Sequence, residues 1–428
     1  MLINKDSVLA IDFGTSNSLV GAVINGKSVG ALPIDPYAAD PTLMRTLLYF
    51  PHGDLCYYGA EALSQYSEHD MEGRLFRSFK THLANPSYAG SVIGNRILSI
   101  DHMVGTFLLE LKKRAEKNLG QKVNRVVLGR PARYSMDILN DQLALSRMTK
   151  AAQFAGFTDI KFVPEPLAAA FDYRKKIKSE KVVLIGDFGG GTSDFTIVKL
   201  RPDGFRKDDV LAVEGCPLAG DSFDSLFMSE RLNTQFGAKS AYRFPMSTNV
   251  LNMPPGIVQK LNHPAHIVHL KEKDTYEFIK EVRKCSISDG DKIAMDRLFT
   301  LIDDQQIFSF FEQIEQAKRK LSSEATARFQ FDYPDLEIQT DFLLSEFVTW
   351  SQTLKEKIFA SLDRCLQEAQ LTPTQIDLIC LTGGTAQVPL IKNEFILRFG
   401  ESKLQMASQF HSVLSGLIES ATLPQNET

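Results

Sequence analysis

Two stretches of the chain carry one short pattern 175 residues apart: AIDFGTSNSLV, residues 10 to 20, and GDFGGGTSDFTIV, residues 186 to 198. In each, an apolar strand ends on an aspartate, Asp12 or Asp187, runs through Phe and glycine into Thr-Ser, and returns as an apolar strand. Aligned on the aspartates, with a two-residue gap in the first copy, the stretches share Asp, Phe, Gly, Thr and Ser. An internal duplication is the economical explanation, and it predicts two similar domains facing each other across a cleft. A chain of 428 residues has room for roughly two to four folding units, so a single small binding module is excluded.

The surrounding pattern is α/β. A strand through Ile11, a turn over Asp12 to Asn17, a strand through Val23 and an Asn25-Gly26 hairpin turn open the chain as a meander. Residues 37 to 96 have weaker periodicity, with one helix expected around Glu61 to Tyr66, and read as a peripheral insertion. Val104, Leu108, Leu111 and Ala115 then recur at helical spacing before Gly120. A βαβ unit follows: a buried strand over 123–131, a helix capped by Ser135 and closing at Gly156, and a strand over 159–163. Pro164-Glu165-Pro166 opens a helix containing LAAAF. Beyond a long mixed segment, 219–353, come a helix through Leu354, Ile358 and Leu362, a strand over 376–381, the turn TGGT and a helix from Pro389 to Phe399.

A glycine hairpin at the end of a strand lets backbone N–H groups converge on an anion, while Thr and Ser hydroxyls add donors. An aspartate at the same mouth suits a hydrated magnesium ion, a hard cation that prefers oxygen and keeps its waters. Opposed loops would hold a polyphosphate from both sides, with Asp12, Gly14, Thr15, Ser16 and Asn17 on one and Asp187, Gly189, Gly190, Gly191 and Thr192 on the other. A third glycine turn, LTGGTAQVP, would let a flat ring approach the backbone at Gly383 and Gly384. On EQIEQAKRKLSS, Phe311, Ile314 and Leu321 form one stripe, and Glu315, Lys318, Arg319 and Ser322 the next; a solvated salt-bridged face and a nucleoside-contacting face both fit that pattern.

Composition narrows the rest. A formal charge of −4 argues against a protein built to neutralise nucleic-acid phosphates, and basic clusters such as Lys112 to Arg114 and Arg174 to Lys178 read as solvated faces or ends. Five cysteines without a CxxC pair indicate neither a disulfide framework nor a thiolate zinc site, and imply a reducing compartment. No run of eighteen apolar residues and no signal-type leader is present, so a cytoplasmic location with no membrane partner is expected. His263, His266 and His269 in HPAHIVH would gather on a metal only in a distorted turn, since i and i+3 on a strand face opposite sides; surface histidines are the simpler reading.

Taken in order, AIDFGTSNSLVG, EPLAAAFDY, GDFGGGTSDFTIV, LAGDSFD, EQAKRKLSS and LTGGTAQVP resemble the nucleotide-binding motifs of the seventy-kilodalton heat-shock (DnaK-type) chaperones, within the actin-like ATPase superfamily, and most closely the short YegD-like branch. The resemblance runs from residue 8 to 389. It implies ATP or ADP as ligand, with Asp12 and Asp187 organising magnesium through water and Thr15, Ser16 and Gly189 to Thr192 binding phosphates. Glu165 would assist at the metal or attacking water, and Asp194 matches a further acidic residue of the second phosphate motif. Gly220 and Asp221 stand at the family's Gly-Glu, with Asp replacing Glu. Glu315, Lys318, Arg319 and Ser322 match its adenosine-contacting helix, and Gly383, Gly384 and Thr385 its second adenosine motif. The family's catalytic lysine falls in EGRLFRSFKTHLA, where Lys80 is the candidate and Arg77 the runner-up. Near the C-terminus QFHSVLSGL keeps the family's glycine but offers Phe410 where an acidic residue would align.

The expected fold is thus a two-lobed actin-like ATPase of duplicated ribonuclease H-like domains. Lobe I would comprise residues 1–176, joined by the segment 405–428; lobe II would comprise 177–404 with an insertion over 219–353; no separate peptide-binding domain is expected. The expected activity is slow magnesium-dependent ATP hydrolysis coupled to lobe closure, a chaperone-like switch acting on a protein partner or client, in a chain favoured as a monomer. The alternatives are a nucleotide-binding scaffold with little hydrolysis and a metabolite kinase of the same superfamily.

Overall fold

The computed structural model describes residues 7–53, 55–69, 72–135, 137–174, 177–202, 207–264, 266–406 and 411–422; Lys175, Lys176 and Phe410 lie outside them. The chain divides into two compact units, one of Met1–Pro217, Ile358–Ala386 and Lys392–Thr428, the other of Leu218–Lys357 and Gln387–Ile391.

The larger unit holds two sheets of the same plan. In the first, β1 (Ser7–Phe13), β2 (Asn17–Ile24) and β3 (Lys27–Val29) form an antiparallel meander, and β4 (Arg125–Arg130) and β5 (Asp159–Pro164) add in parallel beside β1, giving the order β5-β4-β1-β2-β3. The second sheet repeats this with β6 (Lys181–Phe188), β7 (Ser193–Leu200), β8 (Val210–Cys216), β9 (Leu378–Thr382) and β10 (Leu404–Met406), ordered β10-β9-β6-β7-β8. The two-residue strand Met44–Arg45 pairs with the start of β2. Asn25 and Gly26, with φ of 50° and 76°, make the left-handed turn that joins β2 to β3.

The pairing registers correct the alignment of the two copies. Asp12 lies opposite Leu19 and Phe13 opposite Ser18; Asp187 lies opposite Asp194 and Phe188 opposite Ser193. Both turns close on a glycine N–H donating to the carbonyl three residues on, Gly14 to Asn17 at 3.1 Å and Gly189 to Thr192 at 3.0 Å. Equal turn lengths leave no gap. Thr15 and Ser16 therefore correspond to Gly190 and Gly191, Asn17 to Thr192, and Leu19 to Asp194; the shared Thr-Ser letters had pulled the second strand two residues out of step.

Period-two alternation on β1 feeds two cores. Leu9, Ile11 and Phe13 pack with the helices Ile100–Leu119 and Ile138–Phe154, through Val104, Phe107, Leu111 and Met148. Val8 and Ala10 face the helix His411–Thr422 through Leu414, Leu417 and Ile418. Gly416 lies so close to the helix Glu165–Arg174 that a Cβ would sit 1.7 Å from the Ala168 carbonyl oxygen, which is the physical reason for a glycine there. In the second sheet Val183, Ile185, Val198 and Cys380 share one cluster, and Phe188, Phe195 and Phe395 form an aromatic one. The helix after β4 starts later than Ser135: Asp137 is its cap, accepting from the Asn140 N–H at 2.9 Å, and Ser135 Oγ accepts from the Asp137 N–H.

Between β3 and the first long helix, Leu47–Phe50, Tyr57–Tyr58 and Arg74–Arg77 form a small sheet, with the helix Gly59–Glu68 where one was expected. Ser78, at φ 53°, turns the chain into the 3-10 segment Phe79–Ala84 that carries Lys80. The smaller unit packs a hairpin, Thr326–Tyr333 with Leu336–Leu343, whose alternating Phe329, Phe331, Ile338 and Phe342 are buried beside Phe310 and Phe227.

Candidate functional site

Both aspartate hairpins end their central strands in the larger unit. Glu165 reaches the same place because β5 ends at Pro164 and the next residue opens a helix. From the peripheral insertion Lys80 comes in 93% buried and donates from Nζ to Glu165 Oε1 at 3.0 Å, with Nζ 5.6 Å from the Phe13 ring centre. Arg77, the other candidate, lies instead on the small sheet opposite Leu47.

Electrostatics bind this group together. Burial, then Glu165, raises the Asp12 carboxyl well above the usual carboxylate range, with Lys80 opposing. Burial and Glu165 push Asp187 up to about 6 against the Thr382 hydrogen bond and Lys80. Burial and Asp187 push Asp194 up to about 8 against its hydrogen bond from Thr192, 2.9 Å. Four carboxyl groups thus sense one ammonium group. Such a site must either take up protons or gather cations, and oxygen donors of this kind favour a hard divalent ion. Among the described residues no three His, Cys, Asp or Glu side chains converge to chelate a metal directly.

The turns are propped alike. Thr46 Oγ1 donates to the Gly14 carbonyl at 2.8 Å, and Thr385 Oγ1 donates to the Gly189 carbonyl at 3.1 Å. The third glycine turn is fixed against the second hairpin: Gly383 has φ 85°, and a Cβ on it would sit 2.0 Å from the Phe188 carbonyl oxygen, whereas one on Gly384 would meet nothing within 4 Å.

The remaining candidates are in the smaller unit. Lys318 is buried and turns inward, its Nζ 2.7 Å from Asp224 Oδ1 and donating to the Gly220 carbonyl at 3.1 Å. Glu315 and Arg319 pair along the helix Ile307–Lys320 at 2.6 Å, and Ser322 follows its end. Asp221 sits in the first turn of Gly220–Phe227, where its carbonyl accepts from Ser225 Oγ at 2.8 Å. The stripe thus splits between an inward lysine and an outward pair.

Sequence reasoning missed Thr46, Thr382, Asp224 and Tyr134. Tyr134 places a buried hydroxyl, without a hydrogen-bond partner among the described residues, where burial and Glu165 both raise its pKa. The histidines correct a premise: His263, His266 and His269 lie on successive i to i+3 turns, not on a strand, so the rings of His263 and His266 stack at 4.3 Å between centres, that of His269 is tilted 46° to His266 at 6.3 Å, and His269 Nδ1 lies 2.8 Å from Glu272 Oε1.

The family model described as Hsp70 protein matches residues 78–252 and 298–412, more than half of the chain, including all of the second sheet and strands β4 and β5 of the first. The chain belongs to the Hsp70 family. With that membership goes the actin-like ATPase fold, whose duplicated sheets are those described above. Among curated proteins it is similar to Chaperone protein DnaK of Thermosipho melanesiensis, 27% identical over all of this chain and 61% of the relative, and to Chaperone protein DnaK of Mycoplasmopsis agalactiae, 24% identical over 91% of this chain and 54% of the relative. Heat shock 70 kDa protein 13 of Pongo abelii is 23% identical over 96% of this chain and 87% of that protein. The chain spans a little over half the length of the DnaK relatives it matches. Among the described residues no helix is long and apolar enough to cross a membrane.

Proposed function

We propose that this Hsp70-family chain binds ATP with magnesium and hydrolyses it slowly to ADP and phosphate, as a chaperone-like nucleotide switch acting on a protein partner in the cytoplasm. The observation that carries the proposal is the buried Lys80–Glu165 ion pair set among Asp12, Asp187 and Asp194. Asp12 and Asp187 would hold hydrated magnesium, which supplies neutralisation of the phosphate oxygens when bound. Lys80 would exchange part of its contact with Glu165 for the γ-phosphate and stabilise charge developing there. Glu165 and Thr192 would orient the attacking water, and the N–H groups of the Gly14–Asn17 and Gly189–Thr192 turns would bind the phosphates. The nucleoside roles of Gly383, Gly384 and Thr385, and of Gly220, Asp221, Glu315, Lys318, Arg319 and Ser322, belong to the same proposal, as do the lobe boundaries at 176 and 404 and the coupling of nucleotide state to lobe closure. Hydrolysis would be slow because positioning dominates and no strong base is supplied.

Steady-state turnover of magnesium-ATP by the purified chain tests this. Phosphate release is expected to fall sharply in Asp187→Ala and Lys80→Ala; turnover equal to that of both variants would leave a nucleotide-binding scaffold as the better description. Appearance of a phosphorylated small molecule in cell extract would favour a kinase instead. Pull-downs run in ATP and in ADP would identify the partner.

A further inference from the structure

The two copies of the aspartate hairpin differ in what stands beside the aspartate on the neighbouring parallel strand. In the first sheet the register of β1 with β4 ends at Ile11 with Leu128, so the residues that follow are Asp12 and Gly129. In the second sheet the corresponding register continues one residue further and pairs Asp187 with Thr382. Residues paired across parallel strands present side chains to the same face. The Thr382 hydroxyl accordingly donates to Asp187 Oδ1 at 2.7 Å, and Thr382 is only 4% exposed.

We propose that Thr382 is a positioning residue for the cation site: its hydroxyl fixes the rotation of the Asp187 carboxylate and commits Oδ2 to the cation's water shell. This rests on the magnesium-nucleotide reading above. An aspartate's terminal torsion is broad and nearly two-fold, so an unrestrained carboxylate presents either oxygen over a wide arc. A β-branched donor on a central strand has few rotamers of its own and transmits that rigidity. Gly129 offers Asp12 no such donor, and a Cβ there would lie 3.3 Å from Glu165 Cγ, so the first copy leaves room for Glu165 instead. One aspartate is clamped and the other is packed beside a second carboxylate. Outer partners of this kind typically change metal affinity 10- to 100-fold when removed.

The test measures binding of a fluorescent N-methylanthraniloyl-ADP to the full chain across a magnesium titration, with thermal melting of the unliganded protein as the control for folding. Thr382→Val keeps the shape and removes the hydroxyl; the magnesium concentration for half-maximal nucleotide binding is expected to rise about 10-fold. Thr382→Ser is expected to restore it to within about 3-fold, which a packing role alone would not do. In an Asp187→Asn background Thr382→Val is expected to add no further change. If the valine variant does not fold, Thr382→Ala carries the same comparison. An unchanged magnesium requirement in a folded valine or alanine variant overturns the positioning role while leaving the nucleotide reading intact. A wild-type chain without magnesium-dependent nucleotide binding overturns both.

Discussion

In the first hairpin Asp12 stands one residue before the end of β1, opposite Leu19 and beside Gly129; in the second Asp187 stands one residue before the end of β6, opposite Asp194 and beside Thr382. The turns between these strands are the same length, close on the same kind of hydrogen bond and are propped by a threonine hydroxyl on the same carbonyl. A duplicated backbone has therefore been kept, and the side chains around it have diverged. The first copy contributes one aspartate to the acidic cluster and packs its opposite residue into an apolar core; the second contributes two acids and the hydroxyls that hold them. The turn geometry is common to both copies, whereas the acids and the hydroxyls bonded to them are concentrated in the second.

The largest expected effect removes what both copies lean on. Lys80→Ala leaves Glu165 buried without its cation among three other carboxyl groups. Turnover should fall ~100-fold or more, and stability should fall by about 3–5 kcal/mol in the unliganded protein. Phosphate-release assays and chemical denaturation measure the two separately. A lysine replacement that leaves stability untouched would mean that the acids are already neutral and that the pair contributes nothing.

Glycine substitution separates the two turns. A Cβ at Gly14 would sit 2.3 Å from the Asn17 carbonyl oxygen, while one at Gly189 would lie 3.6 Å from that of Thr192. Gly14→Ala should cost about 2–3 kcal/mol, and Gly189→Ala less than about 1 kcal/mol, since a tolerated alanine also restricts the unfolded chain. Melting temperatures of the two variants compare them directly. Equal losses would break the geometric distinction between the copies.

These contrasts also mark what could be read from the chain alone. The strands around Asp12 and Asp187, the βαβ unit, the Asn25-Gly26 turn and the paired glycine loops were legible because period-two runs and φ-demanding residues are local signals. The pairing of Leu19 with Asp194 was not, because matching letters suggested a gap that only hairpin register excludes. Thr382 stood inside a quoted motif, yet its role depends on which residue of a strand nearly two hundred positions away lies beside it. Lys318 was read as one member of a polar stripe; the depth of the Asp224 carboxylate that turns it inward is set by tertiary packing. Lys80 was reachable only through resemblance, since nothing in FRSFKTHLA shows that a 3-10 segment will bury its ammonium group.

Acid titration tests the second copy's extra carboxyl group. Asp194 holds its proton up to about 8 in the folded chain but ionises in the ordinary carboxylate range when unfolded. Between those limits the folded state carries the extra proton, so stability falls as pH rises, by up to about 1.4 kcal/mol per pH unit for this group. Asp194→Asn should flatten that slope between pH 6 and 8 and raise the melting temperature more at pH 8 than at pH 6, in protein free of nucleotide and metal. Asp12, shifted in the same direction, should leave a residual slope. An unaltered slope would show that the proton resides elsewhere in the cluster.

Modest effects should come from the threonine props, where the copies are most alike. Thr385→Val deletes one hydroxyl that donates to the Gly189 carbonyl at 3.1 Å, and a single neutral hydrogen bond contributes about 1 kcal/mol. Thr46→Val deletes a hydroxyl bonded both to the Gly14 carbonyl at 2.8 Å and to Ser18 Oγ at 2.9 Å. Ser18 is fully buried, so its own hydroxyl would then lose that partner and the loss should approach about 2 kcal/mol. If the props act only on their own turns, the double variant should lose the sum of the two within about 0.5 kcal/mol. A clear departure from that sum, read from denaturant midpoints of the four proteins, would mean that the duplicated turns are energetically joined through the carboxylate cluster between them.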